Sequence, residues 1–202
     1  MKKFYFFCIF LLLIPILLPS GCGKSKENKA AVHFKSAVNA VKKQNYDEAI
    51  KEYKASLKIM PEHTLANFNL AYVLENYKID FDQAILHYNK VLELEPKRYS
   101  FLHKNIGNLY YKKGEYDKAI DEYLKALKTI PNDSITHNDL GAAYLKKDQT
   151  DKALEEFKKA AELDPVDSTP HSNMAYLYRE KGMEQKAIEE EANANLLKSQ
   201  HP

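Results

Sequence analysis

The histidines are the residues with the clearest capacity for chemistry, because imidazole can bind metals and transfer protons. Four of the seven recur at intervals of about 34 residues or a multiple of it: His33, His103, His137 and His171. A zinc site needs about four donor atoms converging at about 2 Å from the ion. Neighbouring helices lie about 8–10 Å apart, and neither a cysteine nor a recurring carboxylate accompanies these histidines. We therefore predict that they fill packing positions and that the chain binds no metal or other cofactor.

Two further classes of function are excluded in the same way. Catalysis needs a nucleophile beside a base, or paired carboxylates, in a cleft, and the sequence offers neither. None of its six glycines forms a phosphate-binding loop. The 30 Lys and Arg residues nearly balance the 28 Asp and Glu residues, whereas nucleic-acid-binding domains carry a clustered basic excess. We expect neither an enzyme nor a nucleic-acid-binding protein.

The amino terminus has the pattern of an export signal. Lys2 and Lys3 precede an apolar run over residues 4–18, and Ser20, Gly21 and Cys22 follow it. The run is shorter than the about 20 residues of a membrane-spanning helix and contains a proline. Together these features predict a signal peptide over residues 1–22. The other cysteine lies within the apolar run, so the exported chain has no intramolecular disulfide.

Ser20-Gly21-Cys22 resembles the lipobox of bacterial lipoproteins. The resemblance implies a lipid, such as palmitate, on Cys22 and an anchor in the cell envelope. We expect an outer-membrane protein that faces the periplasm. The alternative is an ordinary secreted protein with a free thiol.

A sequence repeat of about 34 residues occupies the rest of the chain. Its first half carries a small residue after an apolar one, as in Leu70-Ala71, Ile106-Gly107 and Leu140-Gly141. Its second half begins near an alanine, has an aromatic residue four positions later in most copies, and ends at a proline. The alanines are Ala49, Ala84, Ala119, Ala153 and Ala187, and the prolines are Pro61, Pro96, Pro131 and Pro165. Apolar spacing within each half predicts helices, and proline separates the units.

This pattern resembles the tetratricopeptide repeat (TPR), a helix-turn-helix unit of 34 residues. The resemblance implies an all-α, right-handed superhelix of five helical hairpins. We place the repeats at residues 30–63, 64–99, 100–133, 134–167 and 168–201, after a polar tether over residues 23–29. The fifth repeat has Glu191 where the aromatic residue belongs, and we interpret it as a capping unit.

TPR proteins bind peptides on the concave surface that is formed by the first helix of each repeat. Transferred by repeat position, the resemblance implies a partner-binding groove that is formed by Phe34, Val38, Phe68, Asn69, Tyr72, Phe101, Lys104, Asn105, Asn108, Tyr111, Asn173 and Tyr176. One TPR subclass clamps a carboxylate of its peptide, but Asp139 stands where that subclass has asparagine. Its charge would repel a carboxylate, so we exclude that specificity.

The predicted function is a membrane-anchored scaffold or adaptor that binds a protein or peptide partner in the bacterial cell envelope. The resemblance extends to two kinds of TPR lipoprotein: adaptors that bring proteases to cell-wall hydrolases, and pilotins that assemble secretins of type IV pili or secretion systems. The sequence does not choose between them. It also leaves open a homodimer that covers the apolar part of the groove.

Overall fold

The computed structural model describes residues 23–200, and this part of the chain is helical apart from its turns. Its ten helices, numbered α1 to α10, are Gly23–Lys42, Tyr46–Ile59, Thr64–Val73, Phe81–Leu94, Leu102–Lys112, Tyr116–Thr129, Ser134–Lys146, Thr150–Leu163, Thr169–Glu180 and Glu184–Gln200. Consecutive helices pair into five hairpins, and each hairpin packs on the next. The predicted all-α solenoid is confirmed. The predicted signal peptide and Cys22 lie outside the described residues.

Small residues allow the two helices of a hairpin to approach closely. A Cβ atom on Gly107 would lie 2.7 Å from the ring of Tyr123, and one on Gly141 would lie 2.7 Å from the ring of Phe157. The backbone oxygen of Ala153 would be 3.2 Å from the same added atom at Gly141. Both rings are almost fully buried. The repeated pairing of glycine with an aromatic residue therefore sets the helix separation and fills the adjacent space.

Each hairpin turn contains one residue in the left-handed backbone region, with φ between 55° and 76°: Gln44, Ile79, Gly114, Asp148 and Gly182. Glycine adopts this conformation freely, whereas for other residues it costs about 1–2 kcal/mol. The second hairpin also has a π-helical turn, Leu74–Lys78, between α3 and Ile79. The second repeat, over residues 64–99, is two residues longer than the 34-residue unit, and a π turn accommodates one additional residue in a helix.

Replacement of Ile79 by glycine should stabilise the protein. A β-branched residue at φ 55° is strained, and its side chain is 70% exposed, so little packing is lost. Relief of strain should exceed the added chain entropy and raise the free energy of unfolding by about 1 kcal/mol. Thermal denaturation should show a midpoint about 2–4 °C higher. Gln44→Gly, which removes an unbranched side chain from the same conformation, should give a smaller gain; an Ile79→Gly midpoint below wild type would contradict the strain argument.

Ion pairs connect each hairpin to the next along the edge that carries the turns. Lys78 pairs with Asp47, Lys113 with Asp82, Lys147 with Asp117 at 2.9 Å, and Lys181 with Asp151 at 2.6 Å. Each lysine lies at the end of a first helix, and each aspartate lies in the first turn of the preceding second helix. The aspartates are largely exposed, so each pair contributes about 0–1 kcal/mol. Their regular recurrence helps to fix the register between repeats.

The segment over residues 23–29 differs from the expected tether. It forms the first two turns of α1, which begins at Gly23. Ala30, which follows it, is fully buried, and its carbonyl oxygen accepts a hydrogen bond of 2.9 Å from the Ser56 hydroxyl. A helix rises 1.5 Å per residue, so this segment spans about 10 Å and continues the first hairpin directly. Within residues 23–200, no helix has the length and apolar character needed to cross a membrane.

Candidate functional site on the inner face

The inner face is the surface formed by the first helix of each hairpin: α1, α3, α5, α7 and α9. Helix α7 contacts both α5 and α9, so these helices adjoin one another along one side of the solenoid. The twelve predicted groove residues lie on these helices, except that Phe101 directly precedes α5. Their role in partner binding stays a prediction, but their surroundings distinguish them.

The aromatic and aliphatic residues at the amino-terminal end are more buried than an open groove requires. Phe34 stacks on His63 with ring centroids 4.9 Å apart. Phe68 packs against Tyr88, Tyr99 and Phe101 with centroid distances of 6.0, 5.8 and 6.3 Å. Phe34, Phe68 and also Val38 are half-buried against the core. These three side chains therefore support the fold as well as the surface.

Two aromatic side chains remain clearly accessible in this region. Tyr72 is 41% exposed and Phe101 is 37% exposed. Tyr72 lies edge-on to Tyr77, which is 42% exposed and stacks on Tyr46 at 3.8 Å. The inner face thus presents an aromatic surface next to the π-helical turn.

A row of amides runs along the inner face at one position of the repeat: Asn69, Asn105 and Asn173, with Asp139 in the fourth repeat. Asn69 is within hydrogen-bonding reach of the Tyr53 hydroxyl of the preceding hairpin, and Asn105 of the Tyr88 hydroxyl. Burial raises the pKa of Tyr53 to about 12, which the bond from Asn69 partly opposes. These amides therefore connect successive hairpins and keep part of their hydrogen-bonding capacity for a ligand.

The third and fourth hairpins hold the charged part of the inner face. Lys104 Nζ donates to Asp133 Oδ2 at 3.0 Å, and Thr136 Oγ1 donates to the same oxygen at 2.6 Å. Burial alone would raise the pKa of Asp133, but these hydrogen bonds outweigh it, and the pKa is lowered. Tyr111 packs edge-on against Tyr116 with centroids 5.4 Å apart.

Asp139 breaks the pattern of the amide row. Tyr123 lies on the preceding hairpin, at the repeat position that Tyr53 and Tyr88 hold for the other amides. Its hydroxyl donates to Asn108 Oδ1 at 2.7 Å. Burial raises the pKa of Asp139 to about 6, although Lys104 acts in the opposite direction and Asp133 adds to the increase. The carboxyl group is therefore less solvated than an ordinary surface aspartate.

At the carboxy-terminal end, the inner face leads into a cleft between α9 and α10. Asn173 Nδ2 donates to Asn138 Oδ1 at 2.8 Å, which connects the fourth and fifth hairpins. Tyr176 is 54% exposed and lines the cleft. Arg179 closes one side through an ion pair of 2.9 Å with Glu191.

Comparisons with known proteins agree with this architecture. Three family models of the tetratricopeptide repeat match residues 34–97, 107–148 and 134–165. The photosystem I assembly protein Ycf3 of one Prochlorococcus marinus strain is 30% identical over 126 residues, which cover 53% of this chain and 70% of that protein. The same protein of strain MIT 9215 is 33% identical over 125 residues, covering 52% and 70%. The chain belongs to the tetratricopeptide repeat family.

Solved TPR structures share the fold. MamA from Desulfovibrio magneticus RS-1 superposes with a TM-score of 0.77 at 21% identity, covering 86% of this chain and 97% of that one. YrrB, described as a TPR protein with an unusual peptide-binding site, has a TM-score of 0.71 at 19% identity, covering 88% and 91%. Pseudomonas aeruginosa pilF has a TM-score of 0.63 at 20% identity, covering 85% and 78%.

The four periodic histidines form hydrogen-bonded pairs that the sequence analysis missed. Nδ1 of each contacts a glutamate oxygen on the second helix of its own TPR hairpin: His33 with Glu52 at 2.8 Å, His103 with Glu122 at 2.7 Å, His137 with Glu156 at 2.6 Å, and His171 with Glu190 at 2.6 Å. The expectation that no carboxylate accompanies them was wrong, because the hairpin brings together residues 19 positions apart. Among the described residues, no three possible ligands meet at one metal position.

Proposed function

We propose that the chain is a non-catalytic scaffold of the bacterial cell envelope that binds a segment of a partner protein along its inner face. The observation that carries this proposal is that two aromatic side chains of the inner face, Tyr72 and Phe101, are accessible beside the amide row that starts at Asn69. Accessible aromatic side chains supply much of the binding energy at protein interfaces, and amides suit an extended backbone. The relatives named as photosystem I assembly proteins support a role in bringing other proteins together.

The double variant Tyr72→Ala with Phe101→Ala tests this proposal. We expect it to lower partner capture at least about 10-fold, since each aromatic contact typically contributes about 1–2 kcal/mol or more. Capture is measured in intact cells with the photo-crosslinker p-benzoylphenylalanine in place of Asn76, an exposed residue of the π-helical turn whose side chain donates to the Tyr72 carbonyl oxygen. The crosslinked protein is then identified by mass spectrometry.

The matched control is Leu86→Ala with Leu124→Ala. These side chains are 57% and 40% exposed on the second helices α4 and α6, so the change removes a similar apolar area away from the inner face. The control should keep capture at the wild-type level. Equal losses in both variants, or full capture by the inner-face variant with its helix content intact, would place the binding surface elsewhere. Phe68 is unsuitable for this test because it packs against three aromatic rings.

The proposed envelope anchor rests on the sequence Ser20-Gly21-Cys22 and has its own test. We expect the processed protein to begin at Cys22, to carry an added acyl mass and to fractionate with membranes. Cys22→Ser should lose the acyl mass and the membrane association, because a lipid supplies about 0.8 kcal/mol of membrane affinity per buried methylene. A wild-type protein without acyl mass would contradict the lipoprotein proposal and leave the scaffold proposal untouched.

A further inference from the structure

Asp139 occupies a position where the other repeats place an amide with a clear structural task. Asn69 and Asn105 reach the tyrosine hydroxyl of the preceding hairpin, and Asn173 donates to Asn138. Tyr123 is the equivalent tyrosine for Asp139, and its hydroxyl donates to Asn108 just as the Tyr88 hydroxyl donates to Glu75. Asp139 differs from Asn105 in that it makes no hydrogen bond to this tyrosine. Across residues 23–200, the Asp139 carboxylate accepts no hydrogen bond from a side chain and forms no ion pair within 4 Å.

The charged groups around Asp139 do not neutralise it. Lys104 from α5 is the nearby cation, and it donates to Asp133 at 3.0 Å. Tyr111 from α5 and Tyr123 from α6 are the other titratable groups that sense Asp139, and both are neutral at pH 7. Two carboxylates therefore share one ammonium group, which leaves this part of the inner face with a local charge of about −1 at pH 7.5, above the pKa of about 6.

The carboxylate is nevertheless accessible to a ligand. Among the described residues, no fully buried side-chain oxygen or nitrogen lacks a hydrogen-bond partner. The unpaired Asp139 oxygens therefore contact solvent on the inner face. They are half-buried and poorly solvated, and a cation that replaces the missing solvation would bind them more strongly than it binds an exposed carboxylate.

We propose that Asp139 accepts one cationic group of the bound segment, an ammonium or a guanidinium. The group comes from a lysine or arginine side chain or from a free amino terminus. The charge of Asp139 acts on Tyr111, and the face of the Tyr111 ring can attract the same cation. Lys112 and Lys146 are exposed at the ends of α5 and α7, and they disfavour a strongly basic segment. The site thus selects one basic group flanked by apolar or acidic residues.

Peptide binding tests this inference, which rests on the proposed function. The probes are fluorescein-labelled, N-acetylated octapeptides of Ala, Ser and Phe that carry one central Lys, Arg, Gln or Glu. The full chain in detergent should bind the Lys and Arg peptides about 10-fold more tightly than the Gln peptide at pH 7.5, a difference worth about 1.4 kcal/mol. Asp139→Asn should reduce the preference to less than about 2-fold, whereas Asp121→Asn, an exposed site on α6, should keep it.

A further peptide separates the two sources of the cation. It lacks Lys and Arg but has a free amino terminus, and it is compared with its acetylated form. Preference for the free form alone assigns the group to the amino terminus, and preference for Lys and Arg alone assigns it to a side chain. Either result supports the proposal. Tight binding without any preference for a cation, or a preference that survives Asp139→Asn, would overturn it while leaving the scaffold function in place.

Titration of the carboxyl group tests the site without a peptide. The Asp139 carboxyl ¹³C signal is followed by NMR from pH 4 to 8 in the full chain. The titration is done in n-butylammonium chloride, in ethylguanidinium chloride and, for comparison, in NaCl at the same concentration. Cation binding should lower its titration midpoint, since the cation favours the ionised form. An unchanged midpoint in both salts would overturn the proposal. A lowered midpoint together with a complete lack of peptide binding would support the cation site and contradict the scaffold function.

Discussion

Replacement of His137 by leucine should lower the free energy of unfolding by about 3 kcal/mol. The imidazole is 3% exposed and makes two hydrogen bonds, at 2.6 Å with Glu156 and at 2.8 Å with the Pro131 carbonyl oxygen. A carbonyl can only accept, so Nε2 donates to Pro131 and the second proton lies between Nδ1 and Glu156. Leucine leaves both oxygens without their partner. A lost buried hydrogen bond costs about 1–3 kcal/mol, and more where a charge is left unpaired.

The same repeat position supplies the control for this prediction. His33 pairs with Glu52 at 2.8 Å, but its side chain is 38% exposed, so water can replace the lost contact. His33→Leu should cost less than about 1 kcal/mol. The double variant His137→Leu with Glu156→Leu should recover part of the loss, because it removes the unpaired carboxylate but still leaves the Pro131 carbonyl oxygen without its donor. Urea denaturation of the four proteins measures these differences, and equal effects at positions 33 and 137 would show that burial does not determine the strength of the pair.

The fold could be predicted from the sequence because its main determinants are periodic. Gly107 and Gly141 recur opposite Tyr123 and Phe157, and the structure shows each glycine in contact with its ring. A proline follows each of the first four second helices, α2, α4, α6 and α8, within two residues of its end. The amino-terminal segment was less predictable: its lysines and glutamate indicated a polar tether, yet continuation of α1 makes it helical.

The contacts between individual side chains could be predicted from the sequence only in part. His103 and Glu122 both recur with the repeat, but the sequence does not show that residues 19 positions apart meet until the hairpin geometry is known. A search for acids at a constant distance from each histidine would have found them. The repeat register places Phe68 in an open groove, but the structure packs it against Tyr99, which lies in the second repeat where residues 64–99 exceed the 34-residue unit by two. An insertion interrupts the periodicity on which such an assignment depends.

Replacement of Asp139 by asparagine should stabilise the free protein at neutral pH. Burial raises the pKa of Asp139 to about 6 in the folded state, from an ordinary value of 3.8. The folded chain therefore holds the proton more tightly than the unfolded chain, and ionisation above pH 6 destabilises the fold. One pKa unit corresponds to about 1.4 kcal/mol, and because the side chain is partly solvated we expect a gain of about 2 kcal/mol at pH 7.5. Asparagine can also adopt the tyrosine contact that Asn69 and Asn105 make.

The dependence on pH distinguishes this account from a simple packing effect. The advantage of Asp139→Asn should be fully present above about pH 6, decrease as the pH falls from 6 to 4, and vanish near pH 4, where Asp139 is protonated in the folded chain and increasingly so in the unfolded chain. Asp121→Asn, on an exposed surface, should differ from wild type by less than about 0.5 kcal/mol at every pH. Urea denaturation at half-unit steps from pH 4 to 8 gives both curves. A constant stability difference across that range would mean that the desolvated charge is not the cause. A stability difference that increases at acidic pH would contradict a raised pKa of Asp139. The expected curve would show that Asp139 lowers the stability of the free protein, as residues that serve binding often do.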